Sequence, residues 1–160
     1  DSINFINASG EIDDINVSNS LSDGVDFDFS NLKIGKITSI NSKNDCIDFS
    51  YGEYLIKKVF VESCGDKGIS VGENSNVEIK QLISKNSNIG VASKDSSTTK
   101  IDNAFLESMN ICFSVYNKKQ EFNGSFLDID NYQCNNYSQK NDFDAQSIIK
   151  LNKKIVTRYN

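Results

Sequence analysis

The chain has 160 residues, a formal net charge of −5 at pH 7, and no histidine, proline or tryptophan. This length suits one domain with a single core, and no apolar run is long enough to span a membrane. A negatively charged chain lacks the basic face that nucleic-acid binding requires, and without histidine the Ser-His-Asp and Cys-His routes to nucleophilic catalysis are closed within it. Asp1 begins almost directly in repeat-like sequence without a Met, so we expect a processed chain or a domain excised from a longer one.

The dominant feature along the chain is a repeat of 22 residues. One position recurs as Gly24, Cys46, Gly68, Gly90 and Cys112. A second, two residues earlier, recurs as Asn44, Asp66, Asn88 and Asn110. The repeat stays in register along the chain when one single-residue insertion, near residues 74–76, is allowed for. Self-similarity at a fixed period in this range marks a repeat architecture, in which each unit buries its apolar face against its neighbours.

Within each unit the residues alternate in the way expected of strands. Val25, Phe27 and Phe29 alternate with Asp26 and Asp28, which predicts a strand whose apolar side chains point inward. No stretch sustains a helical period. The sequence therefore predicts an all-β parallel β-helix, a solenoid of about six coils of about 22 residues, with successive coils about 4.8 Å apart.

Stacking of successive coils assigns a place to each repeated position. The Asn/Asp column is predicted to lie at a bend, where a short amide or carboxyl side chain can bond backbone groups and tolerates left-handed (αL) geometry. The Gly/Cys column is predicted to need a small side chain because the chain turns tightly there. Both columns have a structural explanation that requires no ligand.

The later part of the chain departs from the regular period. Ile101 and Phe126, taken as equivalent, are 25 residues apart, so residues 117–124 are predicted to bulge beside the outward face. Residues 1–135 are predicted to form the coils. Residues 136–160 are predicted to form an irregular last coil or a cap of the same domain, because the open ends of a solenoid expose strand edges that need cover.

The 4 cysteines do not suggest a disulfide framework. Cys46 and Cys112 share a column but lie three coils apart, roughly 14 Å, which is beyond disulfide reach. Cys64 and Cys134 have no evident partner in the pattern. The prediction is four unpaired, largely buried thiols that act as small hydrophobic groups.

Candidate chemistry lies on the outward side of the first strand of each coil. There Asp26, Asp28 and Asp48 are predicted to lie within one coil step of each other. Clustered carboxylates suit a hard cation such as calcium, so these three are the candidate metal ligands. The alternative is a solvated acidic patch that keeps the sheet soluble. No cofactor is required, and calcium is the one cofactor that the pattern suggests.

Two further side chains on the same face are candidates for proton transfer. Lys94 is the candidate general base and Tyr116 the candidate general acid, although an ordinary exposed lysine is the simpler interpretation. Tyr116 and Phe122 are also candidates to stack on a sugar ring, with burial of Phe122 in the core as the alternative. The candidate substrate-binding residues are Asp26, Asp48, Lys94, Tyr116, Lys118 and Phe122.

Four segments carry a resemblance to a known group of proteins: residues 23–30, 44–50, 65–73 and 90–97. They resemble bacterial right-handed parallel β-helix proteins of the pectate-lyase-like superfamily. The resemblance implies a right-handed coil and an extracytoplasmic protein that meets polysaccharide. The arginine or lysine base motif of the lyases has no match, since the single arginine, Arg158, lies in the tail. No catalytic residue is therefore carried over.

The function predicted from these observations is an extracellular, cell-surface or periplasmic module that binds polysaccharide, or presents a rigid surface, without catalysis. The alternative is a calcium-assisted polysaccharide lyase or epimerase that acts on an acidic glycan. A third possibility is a structural stalk in which other domains or protomers stack on the open ends. The expected partners are a polysaccharide or cell-surface glycan, with no nucleic acid and no membrane span.

Overall fold

The computed structural model describes residues 1–157, so Arg158 lies outside the described residues. These residues form strands joined by short bends, and no helix that could cross a membrane occurs among them. The strands are β1 (Ile3–Ile6), β2 (Ser9–Ser20), β3 (Val25–Ser42), β4 (Ile47–Lys94), β5 (Thr98–Tyr116), β6 (Phe126–Phe143), β7 (Ile148–Leu151) and β8 (Lys154–Ile155).

Parallel pairing one coil apart builds a right-handed β-helix, which confirms the predicted fold. The stack has about 7 turns, one more than the about six coils predicted. Val25 pairs with Ile47, and Ile34 pairs with Ile56, each a step of 22 residues. The same step joins Ile79 to Ile101 in the next part of the stack. The apolar alternation produces this register, because a slip of one residue would turn every inward side chain toward solvent.

The core consists of ladders that run along the axis. Val25, Ile47, Ile69, Val91 and Phe113 occupy one column, and each has 0% of its surface exposed. This confirms that the repeated apolar positions point inward. A second column stacks rings, with Phe27 lying 5.2 Å from Phe5 and 5.0 Å from Phe49 between centroids. Burial of each large apolar side chain contributes roughly 1.5–3 kcal/mol.

The coil bends where the pairing between β3 and β4 lapses, at Phe29, Gly35 and Asn41. Asn44 lies at a bend, as predicted for its column, but this column does not have left-handed backbone geometry, which another column supplies. The positive-φ residues there are Asn19, Asn41, Ser63, Asn86, Ser108 and Asn136. The Asn44 column instead forms side-chain bonds between coils, such as the 2.8 Å bond from Asn110 Nδ2 to Asn88 Oδ1.

The prediction of unpaired thiols is wrong. Cys46 is bonded to Cys64, and Cys112 is bonded to Cys134, with Cα atoms 5.3 Å and 6.5 Å apart. The 22-residue repeat relates only residues of one column, whereas each bridge crosses the interior between two walls of a coil.

The neighbouring coils show which residues face each other across the interior. A Cβ added to Gly24 would meet the hydroxyls of Ser39 and Ser42 on the opposite wall. Since Ser42 pairs with Cys64, and Val25 with Ile47, the next coil brings Cys46 against Cys64. The need for a small side chain in this column therefore comes from the facing wall. Gly24 and Cys46 also lie at bends of the chain, as predicted, although the positive-φ glycines of the described residues are Gly10 and Gly52.

The fifth coil carries a longer insertion than predicted. Ile101 pairs with Ile129, a step of 28 residues, and Phe126 pairs with Thr98, so Ile101 and Phe126 are not equivalent. Beyond it the ladder continues in parallel register as far as Val115 and Phe143. Strand β7 adds to the stack, and β8 folds back antiparallel on β7. The assignment of residues 136–160 to a cap stays a prediction.

Candidate ligand-binding face

The face of interest is formed by the outward residues of the strand that begins each coil, and we name it the acidic face. Two columns of side chains make it up. The first holds Asp26, Asp48, Ser70, Ala92 and Ser114, and the second holds Asp28, Ser50, Gly72, Lys94 and Tyr116. Although they point away from the core, Ser70 and Ala92 are 0% exposed and Ser114 is 1% exposed. The upper part of the face is therefore covered rather than bare.

The three predicted carboxylates do meet on this face. Asp26 and Asp48 are ladder partners, and Asp28 lies two residues along the same strand. Burial, together with the negative charges of Asp28 and Asp48, raises the pKa of Asp26 to about 7. Oδ1 of Asp26 is buried and has no hydrogen-bond partner. Neither Asp26 nor Asp28 forms an ion pair with any described residue, although the charge of the N-terminal ammonium opposes the rise in the pKa of Asp26.

Lys94 is buried, and the interpretation of it as an ordinary exposed lysine is wrong. Its side chain is 8% exposed, and its Nζ lies 3.6 Å from Oδ1 of Asp48, two coils away. It reaches this far because Gly72 in the coil between has no side chain: a Cβ there would lie 3.0 Å from Cε of Lys94. Burial raises the pKa of Asp48, and the positive charge of Lys94 opposes that rise.

A second group of charges, not predicted from the sequence, borders the face. Nζ of Lys67 lies 3.3 Å from Oδ1 of Asp45 and also bonds Asp66. Burial raises the pKa of Asp45 although Lys67 opposes it, whereas Lys67 itself has a raised pKa because its carboxylate bonds outweigh its burial. Burial also raises the pKa of Tyr116, against the opposing charges of Lys67 and Lys94. Tyr116 is therefore near both lysines.

The sequence held one signal for this group. Asp45 and Lys67 are 22 residues apart and come directly before Cys46 and Gly68 of the repeated small column. Opposite charges at one repeat spacing predict a ladder pair between coils. Only the burial of both side chains distinguishes this pair from the exposed ion pairs on other faces, and burial at a bend is not visible in the sequence.

The insertion of the fifth coil is held beside the face by two acidic side chains. Oδ1 of Asp95 accepts bonds of 2.7 Å and 2.8 Å from the backbone N–H groups of Lys118 and Lys119. Lys119 Nζ lies 2.5 Å from Oε1 of Glu73. The pKa of Glu73 is lowered because bonds from Lys119 and Ser50 outweigh the effect of burial. Lys118 also lines a groove on the loop together with Asn117 and Asp144, and its assignment to substrate binding stays a prediction.

An aromatic pair lies at the corner next to the acidic face. Phe29 was predicted to point inward, but it is 54% exposed, and that prediction is wrong. Its φ of 51° and the φ of 56° at Tyr51 are left-handed, so the chain turns at these residues and their rings leave the core. The two rings stack with centroids 4.5 Å apart, and Phe122 from the insertion lies 6.4 Å from Tyr51. Phe122 is half-buried against this corner rather than in the core.

The metal hypothesis gains no support from the geometry. Among residues 1–157, no group of three or more acidic, histidine or cysteine side chains is arranged to hold a metal ion. The assignment of Asp26, Asp28 and Asp48 to calcium stays a prediction.

The architecture defines the class of this protein, which is a right-handed parallel β-helix with a charged and aromatic outward face. No family model, curated protein or solved structure matches the chain.

Proposed function

We propose that this protein is an extracytoplasmic module that binds a glycan on its acidic face without catalysis. The observation that carries the proposal is the stack of Phe29, which is 54% exposed, on the partly exposed Tyr51 at a left-handed corner. Left-handed geometry in a bulky residue costs about 1–3 kcal/mol. The same corner is left-handed in successive coils, at Asn7, Phe29, Tyr51, Glu73 and Asp95, so the two aromatic rings are what distinguish this position. Adjacent aromatic rings offer a flat apolar surface to a sugar ring, and the carboxylates and hydroxyls of the neighbouring columns offer bonds to its polar groups.

Two observations support the extracytoplasmic location and the bacterial β-helix kinship. The disulfides Cys46–Cys64 and Cys112–Cys134 are of a kind that forms and persists in oxidising compartments. The architecture also agrees with the resemblance to bacterial proteins of the pectate-lyase-like superfamily. Membership of that superfamily and a place at the cell surface or in the periplasm are therefore part of the proposal.

Calorimetric titration with a panel of neutral, acidic and basic oligosaccharides tests the proposal. The Phe29→Asn and Tyr51→Asn double variant keeps residues that tolerate the left-handed corner but removes both rings. We expect it to lose at least tenfold in affinity for the best ligand of the panel, which corresponds to about 1.4 kcal/mol. The control is Tyr137→Ala, an exposed tyrosine outside the acidic face. Binding that survives the double variant, or no binding by any sugar, would refute the proposal.

A catalytic alternative is favoured by one specific observation, the burial of Lys94 with Tyr116 near it. Desolvated lysine and tyrosine side chains suit proton transfer, which is the chemistry of a polysaccharide lyase or epimerase. Incubation with alginate and pectate, with and without calcium, separates the two functions. New absorbance from unsaturated ends identifies a lyase, and NMR spectra of the treated polymer identify an epimerase. Polymer that stays unchanged in both assays refutes the alternative.

A further candidate function is that of a structural stalk, and the observation that favours it is the open end at the first coil. Strands β1 and β2 pair on one side only, with β3. Ile3, Phe5 and Ile12 of this coil are only partly buried against the core. Another domain or protomer that stacks on this end would complete both the strand pairing and the apolar ladders. Light scattering tests whether copies of this chain stack, and a monomer at high concentration refutes stacking between copies.

A further inference from the structure

We infer that the acidic face selects a sugar unit that carries a protonated amine, rather than the acidic sugar that the resemblance to polysaccharide lyases implies. This inference rests on the proposed function and names its ligand class. It follows from which charges on the face are already paired, from the polar atoms left without partners, and from the position of the aromatic pair.

Three lysines that border this face are committed to carboxylates of the protein. A bound uronate would have to displace one of these internal pairs, each of which is at least partly shielded from solvent. The pairs are Lys67 with Asp45 and Asp66, Lys94 with Asp48, and Lys119 with Glu73. No positive charge among them remains free for an anionic ligand.

The unpaired groups of the face are acceptors. Asp26 and Asp28 form no ion pair with a described residue, and Oδ1 of Asp26 is buried without a hydrogen-bond partner. Ser70, the residue that follows Asp48 in the same column, is 0% exposed, and its hydroxyl bonds the carboxylate of Asp48 and opposes the rise in its pKa, so Ser70 is not open to a ligand. An ammonium group carries three donors and a positive charge, so it satisfies acceptors of this kind, whereas a carboxylate meets only repulsion.

The aromatic pair fixes where the rest of such a ligand lies. Phe29 directly follows Asp28, and Tyr51 directly follows Ser50, the ladder partner of Asp28. A sugar ring stacked on these two side chains therefore places a substituent next to the unpaired carboxylates. A cation near an aromatic ring gains further stabilisation from the ring's negative face. The ligand class is therefore a polymer of amino sugars with free amines.

The experiment compares three oligosaccharides of equal length by calorimetric titration at low salt: a β-linked glucosamine oligomer, its N-acetylated counterpart and an oligogalacturonate. We expect the glucosamine oligomer to bind about tenfold more tightly than the acetylated one, and the galacturonate to bind most weakly. The Asp26→Asn variant is expected to remove most of that tenfold preference. The matched control is Asp130→Asn, an exposed carboxylate outside the acidic face, and it should leave the preference unchanged.

The outcomes separate this inference from the proposed function. Equal binding of the free and acetylated oligomers, or tightest binding of the galacturonate, overturns the inference and leaves glycan binding intact. The absence of binding by all three, and by the neutral panel, overturns both. An oligolysine peptide is the fourth probe. If it binds as tightly as the glucosamine oligomer and Phe29→Asn weakens neither, the face is a general cation surface and the inference fails.

Discussion

Removal of the bridge between Cys46 and Cys64 gives the most direct test of how the coils are held. The two residues are separated by 18 positions. Closing a loop of that size in the unfolded chain removes conformational entropy equivalent to about 3 kcal/mol at 25 °C. The Cys46→Ala, Cys64→Ala double variant should therefore lose about 3 kcal/mol in its free energy of unfolding. For a chain of this size that corresponds to a fall of about 6–12 °C in Tm.

Urea unfolding followed by circular dichroism measures this loss. The second bridge, between Cys112 and Cys134, spans 22 positions and lies in other coils, so removing it should cost nearly the same. Because the two bridges do not touch, their losses should add in the quadruple variant. Four titratable thiols in the untreated protein, or an unfolding midpoint that the alanine variants do not change, would refute the cross-wall pairing.

Three further predictions concern the acidic face and its corner. Lys94→Met leaves the charge of Asp48 without its partner and should lower the free energy of unfolding in urea by about 2 kcal/mol. The Lys94→Met, Asp48→Asn double variant should recover part of this stability, and equal losses in the single and the double variant would contradict the ion pair. Phe29→Asn exchanges the ring stack with Tyr51 for a residue suited to the left-handed corner, so its unfolding free energy should stay within about 1 kcal/mol of the parent, and a loss of about 3 kcal/mol would show that Phe29 belongs to the core. Asp26 has a pKa of about 7 in the folded protein against an ordinary 3.8, so its ionisation opposes folding, and the free energy of unfolding should fall as pH rises from about 4 through 7. After allowance for solvent screening, Asp26→Asn should remove a decline of order 1 kcal/mol from this pH dependence. Parallel pH dependences of the unfolding free energy in the parent and the variant would contradict the shift.

The fold could be predicted because one period governs the whole chain. The inward position of a residue such as Ile47 can be predicted because Val25 and Ile69 occupy the same repeat position one coil before and one coil after it. The error at Phe29 has a local cause: it continues the alternation of Val25 and Phe27 by one step, but the backbone turns left-handed there. Strand alternation carries no information about where the strand ends, and aromatic residues are not an expected signal for such a corner.

The site could be predicted in its parts but not in its connections. The outward columns placed Asp26, Asp48 and Lys94 on one face correctly. The ion pair between Asp48 and Lys94 spans 46 residues, two repeat steps, and depends on the absence of a side chain at Gly72. Similarly, each disulfide joins two walls of a coil, and a period along the chain describes only what lies above and below. To predict contacts across a coil or over two coils, one must know the shape of the coil in cross-section, and the sequence repeat does not contain this information.

The long reach of Lys94 has a consequence for how this protein comes apart. In a stacked solenoid most contacts join a coil only to its neighbours, so loosening that starts at one end tends to travel coil by coil. The Lys94 side chain skips one coil, and losing the upper coil would release Asp48 while the strand that carries Asp48 is still in place. Fraying from the C-terminal side would thus change the charge of the acidic face before it reached the aromatic corner, and the glycan binding proposed for this face would then depend on the integrity of the distant end.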